Sequence, residues 1–189
     1  MLAEPPQGHA RRPTLVVTRP REDAEVWMAA LSERGWPVQS LPLIDIAEPA
    51  SPDARAALTR ARLQWPDFDA LMFVSAAAVR HFFSGAAVAA RTRFWAPGPG
   101  TARELVKVLQ RLGLPPDRVD SPTADAPQFD SEHLWPQVQW QMGPGRRLLI
   151  VRGGSPDQTA AAAGALAGQG RDWLVRRCRE RGALVQACM

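Results

Sequence analysis

The chain has 189 residues, 46% hydrophobic and 22% charged, a composition that fits one ordinary globular domain or two small lobes and excludes a disordered or fibrous protein. No apolar run approaches the roughly 20 residues of a membrane span and the opening segment lacks the apolar stretch of a secretory signal, so no membrane association is expected and the cytoplasm is the expected location. The net charge is +4, and of 23 basic residues only Lys107 is a lysine; a GC-biased genome accounts for such arginine usage, and so does an anionic partner, because guanidinium pairs bidentately with carboxylate or phosphate.

Residues 1–12, rich in Pro, Gly and Arg, read as a frayed tail. The first element is T-L-V-V-T (14–18), a short β-branched run expected to be a buried strand. A helix is expected over 22–34, with Val26, Trp27, Ala30 and Leu31 inward and Gly35 as its stop. A second strand follows at 37–41, so the chain opens β-α-β, which predicts a parallel pair with a crossover helix. Residues 41–46 (L-P-L-I-D-I) continue extended and 48–52 form a proline-rich break, read as a lobe boundary. A helix over 53–63 is capped by Ser51 or Asp53.

The same grammar then recurs. Strands are expected at 69–74, 93–96, 118–120 and 147–151. Helices are expected at 76–83, 102–112 (stopped by Gly113), 131–138 and 172–181, the last with Trp173, Leu174 and Cys178 inward and Gly182 at its end. Residues 155–170 are an Ala- and Gly-rich stretch, either a short alanine helix or a mobile loop, and 183–189 begins a strand. Strand–helix alternation throughout predicts an α/β protein with parallel sheets.

Metal and redox chemistry find little footing. Cys178 and Cys188 form neither a disulfide framework nor a zinc pattern. His9, His81 and His133 lack ligand spacing, so no metal is expected. The arginines are dispersed and no helix carries a basic stripe interleaved with aromatics, so nucleic acid is not the expected partner.

Four strands end in a small or polar loop that opens a helix: Thr18-Arg19-Pro20, Ser75-Ala76, Gly98-Pro99-Gly100-Thr101 and Arg152-Gly153. In an open parallel sheet such loops gather at the carboxyl ends of the strands, where ligands bind, and free amides with the helix dipole favour anions there. Each loop also has a plainer explanation. Ser75 and Thr101 can simply cap helices, Gly98 and Gly100 can form a tight turn, and Arg19 can pair with Glu22 or Asp23. A nucleotide-binding domain is the rival: Gly98 and Gly100 start a G-x-G with Asp120 near the spacing of a ribose-binding acid, but Arg103 holds the third glycine position.

The order V-T-R-P-R, P-L-I-D-I, V-S-A-A-A-V, G-P-G-T-A, A-P-Q-F-D-S-E-H-L-W, R-L-L-I-V-R-G and G-R-D-W-L, running from Leu15 to the end of the chain, resembles the bacterial uroporphyrinogen-III synthase family. That resemblance implies two lobes of parallel sheet flanked by helices (flavodoxin-like halves). Residues 13–40 would be the N-terminal part of lobe one, 41–50 an inter-lobe connector, 51–182 lobe two and 183–189 the start of a return connector. It implies a monomer without metal or organic cofactor whose substrate is hydroxymethylbilane. The product is uroporphyrinogen III, made with loss of water and inversion of the last pyrrole. The substrate-binding set would be Thr18, Arg19, Ser75, Ala76, Gly98, Gly100, Thr101, Arg152 and Gly153, with no catalytic residue assigned. Two departures stand out. Ala77 occupies a position where the family has asparagine. The family also continues into a tyrosine-containing connector, whereas this chain has no tyrosine and stops at Met189, which implies an incomplete first lobe and reduced or absent activity.

Overall fold

The computed structural model describes residues 12–83, 91–154 and 169–188. The expected tail, except Arg12, and residues 155–168 of the Ala- and Gly-rich stretch lie outside these. The chain divides into two compact units, Met1–Ala47 and Glu48–Met189.

The first unit is the expected β-α-β. Strand β1 (Leu15–Val17), helix α1 (Arg21–Ser32) and strand β2 (Val38–Ser40) form a parallel pair with Leu15 opposite Val38 and Val17 opposite Ser40. The amides of Leu41 and Leu43 donate to the carbonyls of Val17 and Thr18 at 2.9 and 3.2 Å, which carries the pairing beyond β2. Arg12 departs from the frayed-tail reading: its guanidinium donates to the carbonyls of Arg34 and Gly35 at 3.2 and 3.1 Å and lies over the Trp36 ring. Gly35 takes φ 73°, the left-handed turn that ends a helix without a Cβ clash.

The inward face expected for α1 is corrected at two of its four residues. Its buried residue is Ala24, whereas Val26 is 71% and Trp27 49% exposed. Ala30 and Leu31 are half-buried; within this unit the helix meets only two three-residue strands, each about 10 Å long, too little sheet to cover the whole stripe.

The second unit is a five-stranded, wholly parallel sheet in the order β5-β4-β3-β6-β7. Its strands are β3 (Ala70–Phe73), β4 (Arg93–Trp95), β5 (Val119–Asp120), β6 (Arg147–Val151) and β7 (Leu184–Cys188); its helices are α2 (Pro52–Gln64), α3 (Ala76–Phe82), α4 (Pro99–Arg111), α5 (Ser131–Val138) and α6 (Gln169–Glu180). Counted from β3, the order is 3-2-1-4-5. The α/β class and helix-flanked parallel sheet stand as expected, but flavodoxin runs 2-1-3-4-5, so the strand order is the dinucleotide-fold type. The strand expected to begin at 183 is β7, which pairs residue for residue with β6, from Arg147–Leu184 to Val151–Cys188, as the sheet's edge.

Sequence period explains the layers. β3 reads A-L-M-F with every residue buried, as a strand covered on both faces must. One face packs Leu71, Phe73, Phe94 and Leu149 with Leu58 of α2, Val79 and Phe82 of α3, and Leu105, Val108 and Leu109 of α4. The other packs Ala70, Met72, Trp95 and Ile150 with Leu134 and Val138 of α5 and Leu174, Val175 and Cys178 of α6. The i, i+3, i+4 spacing within α4 and within α6 puts each set on one stripe. Ser51 caps α2 by accepting from the Ala54 amide at 3.1 Å. Arg62 of α2 donates to the terminal carbonyls of α3, at 2.5 Å to His81 and 3.2 Å to Phe82, and pairs with Glu48, so a cation sits where the helix dipole is negative.

Candidate functional site at the carboxyl rim

All five strands of the second sheet run the same way, so the loops that follow them share one rim. The pairing fixes how closely. Phe73 stands opposite Val151, and Trp95 opposite Asp120. Ser75, Gly98 and Arg152 therefore lie within three residues of the last paired position of their own strands. The structure thus brings Ser75, Ala76, Gly98, Gly100, Thr101, Arg152 and Gly153 to one edge of one unit. Strand order reverses between β3 and β6, so the loops carrying Ser75 and Arg152 flank the topological switch point, the crevice where open α/β sheets hold ligands. Thr18 and Arg19 belong to the other unit, at the carboxyl end of β1. Arg19 lies over the Trp27 ring, 5.1 Å from its centroid, an alternative to the expected pairing with Glu22 or Asp23.

Individual roles are sharper than the sequence allowed. The Ser75 hydroxyl accepts from the Ala78 amide at 3.1 Å and caps α3. Ala77, in place of the family's asparagine, is buried. Gly98, rather than Thr101, is the N-cap of α4, with Pro99 in its first turn; Pro contributes no N–H and starts a helix well. Thr101 lies within that first turn and is buried, so the expectation that it caps the helix is corrected. Gly100 and Gly153 are exposed, and a side chain at either would meet nothing within 4 Å, which leaves their backbone open to close approach. Arg152 is on the rim, but its side chain is buried, at 6% exposure, and its amide donates to the Cys188 carbonyl at 3.0 Å.

The rim has a further member that the sequence reading passed over, the loop 121–130 between β5 and α5. Phe129, 48% exposed, lies next to Gly98: its Cβ would sit 3.7 Å from a Cβ placed there. Asp130 caps α5, its Oδ1 accepting from the His133 amide at 2.9 Å and from His133 Nδ1 at 2.7 Å. Burial works against the Asp130 charge, but these His133 bonds outweigh it and hold the carboxyl below its ordinary value. The signal was present as an Asp followed three places later by a His at a helix start, which reads first as a cap.

The dinucleotide rival loses its acid. Asp120 stands at the end of β5, where a ribose-binding carboxylate belongs, but both its oxygens are engaged. Arg93 Nε and Nη2 donate to them at 2.7 and 2.6 Å, and Gln141 Nε2 donates at 2.9 Å while its own Oε1 accepts from Trp95 Nε1 at 2.7 Å. The side-chain bond to Asp120 is the chief reason the Arg93 guanidinium holds its proton more tightly than usual. Cys178 and Cys188 are buried, and burial pushes their thiols up to about 12 and about 11, so neither has the thiolate character of a nucleophile. Among the described residues no helix is long and apolar enough to cross a membrane.

Solved structures similar to the chain include the wild-type native uroporphyrinogen III synthase from the extremely thermophilic bacterium Thermus thermophilus, 17% identical with a TM-score of 0.43, the match covering 93% of this chain and 60% of that one. A second structure, also of Thermus thermophilus uroporphyrinogen III synthase, is 17% identical with a TM-score of 0.42 over 93% of this chain and 61% of that one. The chain therefore spans about three fifths of the length of these structures. No curated protein matches it. The profile of the family described as uroporphyrinogen-III synthase HemD matches residues 25–188, which is most of the sequence, and the chain belongs to the uroporphyrinogen-III synthase family.

Proposed function

We propose that this protein acts as a uroporphyrinogen-III synthase, cyclising hydroxymethylbilane to uroporphyrinogen III with loss of water and inversion of the last pyrrole ring. In this reading the substrate-binding set is Thr18, Arg19, Ser75, Ala76, Gly98, Gly100, Thr101, Arg152 and Gly153. The enzyme works in the cytoplasm as a monomer and uses no metal or organic cofactor. The reading is carried by one observation: at the rim of the second sheet the starts of α3, α4 and α5 come together and Gly100 and Gly153 leave their backbone open. Helix starts and open glycines suit a linear tetrapyrrole bearing many carboxylates, because amides at helix N-termini receive anions without a titratable partner. Pyrroles are electron-rich and the carbon framework needs little activation. The task left to the protein is to hold a flexible chain so that the unfavoured carbon of the last ring is attacked, and orientation of this kind is worth several kcal/mol.

The deciding experiment supplies hydroxymethylbilane enzymatically to the purified chain and resolves the product isomers. Uroporphyrinogen III in excess over the spontaneous type I isomer is the expected result. Type I alone, at the uncatalysed rate, would remove the proposal.

A further inference from the structure

We infer that His133, held by Asp130 at the start of α5, is the acid that protonates the departing hydroxyl of the substrate; the inference rests on the synthase reading above and assigns a residue to its first chemical step. Three observations carry it. The loop 121–130 follows β5, so topology brings it to the same carboxyl rim as Ser75, Gly98 and Gly153, and the contact between Phe129 and Gly98 shows it lying beside the start of α4. Several of the other polar groups described at that rim are committed or withdrawn. The Ser75 oxygen accepts from the Ala78 amide and is held as the cap of α3, and Thr101 and Arg152 are buried. The Asp125 carboxyl is held ionised chiefly by Thr123. His81, by contrast, lies in the last turn of α3, at the opposite end of that layer. The third observation is orientation. Nδ1–H donates to Asp130 at 2.7 Å, which fixes the ring and leaves the opposite nitrogen, Nε2, to carry the exchangeable proton. The imidazole is half-buried, with a side-chain exposure of 31%, open enough to meet a ligand on the rim.

The step balances without a cofactor. The imidazolium gives its Nε2 proton to the hydroxyl oxygen. The carbon–oxygen bond breaks as the pyrrole nitrogen lone pair moves into the ring system, and water leaves. The neutral imidazole then recovers a proton when the new carbon–carbon bond has formed and the attacked pyrrole regains aromaticity. Asp130 stays ionised throughout and is a positioning residue. The exposed Phe129 ring beside Gly98 offers a flat apolar surface to the terminal pyrrole.

The test is His133→Asn, whose side-chain amide keeps a donor in the place of Nδ1, and so keeps the bond to Asp130, but has nothing at the place of Nε2. With the enzymatically supplied bilane, kcat for the type III isomer should fall about 100-fold with KM unchanged, the scale of losing a general acid. The urea midpoint should stay at the wild-type value, because the cap is intact. If the wild type forms type III and the variant matches its kcat, or loses kcat only in step with a lowered urea midpoint, the inference is overturned and the synthase reading stands. If the wild type itself forms only type I, the synthase reading fails and the role of His133 falls with it.

Discussion

The two units use the same β-α-β grammar and end with opposite surfaces. In the second, five parallel strands have helices on both faces, and side chains such as Leu71, Phe73, Phe94 and Trp95 are wholly buried. In the first, two strands carry one helix. Among its described residues only Val17 and Ala24 are buried, and Val16, Val26, Trp27, Leu41, Leu43 and Ile44 are each about half exposed or more. The hydrophobic residues are alike in kind, so the difference lies in what is present to cover them. A two-stranded sheet cannot make a core by itself, whatever its residues, whereas a third strand and a second helical layer turn the same pattern into an interior.

That contrast can be broken by mutation. Trp95→Ala in the second unit removes a fully buried ring and leaves Gln141 without its indole donor; a loss of about 3–5 kcal/mol is expected from urea unfolding. Val26→Ala, on the exposed face of α1, should change stability by less than about 0.5 kcal/mol. Similar costs for the two would mean that α1 is covered after all. Asp120→Ala comes next. It leaves Arg93 and Gln141 facing a missing acceptor, and about 2–3 kcal/mol should be lost. Asp120→Asn, which keeps an acceptor oxygen, should recover part of it.

The smallest effect sharpens the comparison through pH, because both cysteines belong to the second unit. Burial raises both thiols, Cys178 to about 12 and Cys188 to about 11 against an ordinary 9.0. The folded state therefore holds these protons more tightly than the unfolded state. The stabilisation this provides is complete below pH 9.0 and is lost as pH rises toward the folded values, on the order of 1 kcal/mol per thiol. A urea midpoint that falls between pH 8 and about pH 10.5 is expected. It should fall less in Cys178→Ala compared with its own value at pH 8. A flat profile would mean that neither thiol is buried in the native state.

Much of this architecture was legible in the chain. Helix α5 and strand β6 run over the residues expected, because an Asp130-Ser131 start and the R-L-L-I-V run leave little choice. Gly35, Gly113 and Gly182 end their helices with positive φ, as their positions suggested. Three things were not legible. The face of α1 could not be read, because periodicity shows which side is apolar and not whether anything covers it. Helix α4 starts three residues earlier than expected, since Gly98 and Pro99 look like a turn and act as cap and first residue. The rim position of Asp130 and His133 depends on β5 pairing beside β4, a contact between distant parts of the sequence. The candidate set was likewise half visible. The junction residues of the second sheet could be named from their motifs, but the burial of Thr101 and Arg152 follows from tertiary packing, which no motif carries.

Strand β5 is only two residues long, and its pairing with β4 spans just Phe94–Val119 and Trp95–Asp120. Such a short margin is poor at holding its place by main-chain bonds alone. Asp120 supplies the remainder sideways, gripping Arg93 of the neighbouring strand and Gln141 of the turn after α5. The alignment of this border is thus written into one carboxylate rather than into a long ladder. A border this brief also gives a stray chain almost nothing to zip onto, so the same brevity that calls for a side-chain clasp keeps that side of the sheet closed to unwanted partners.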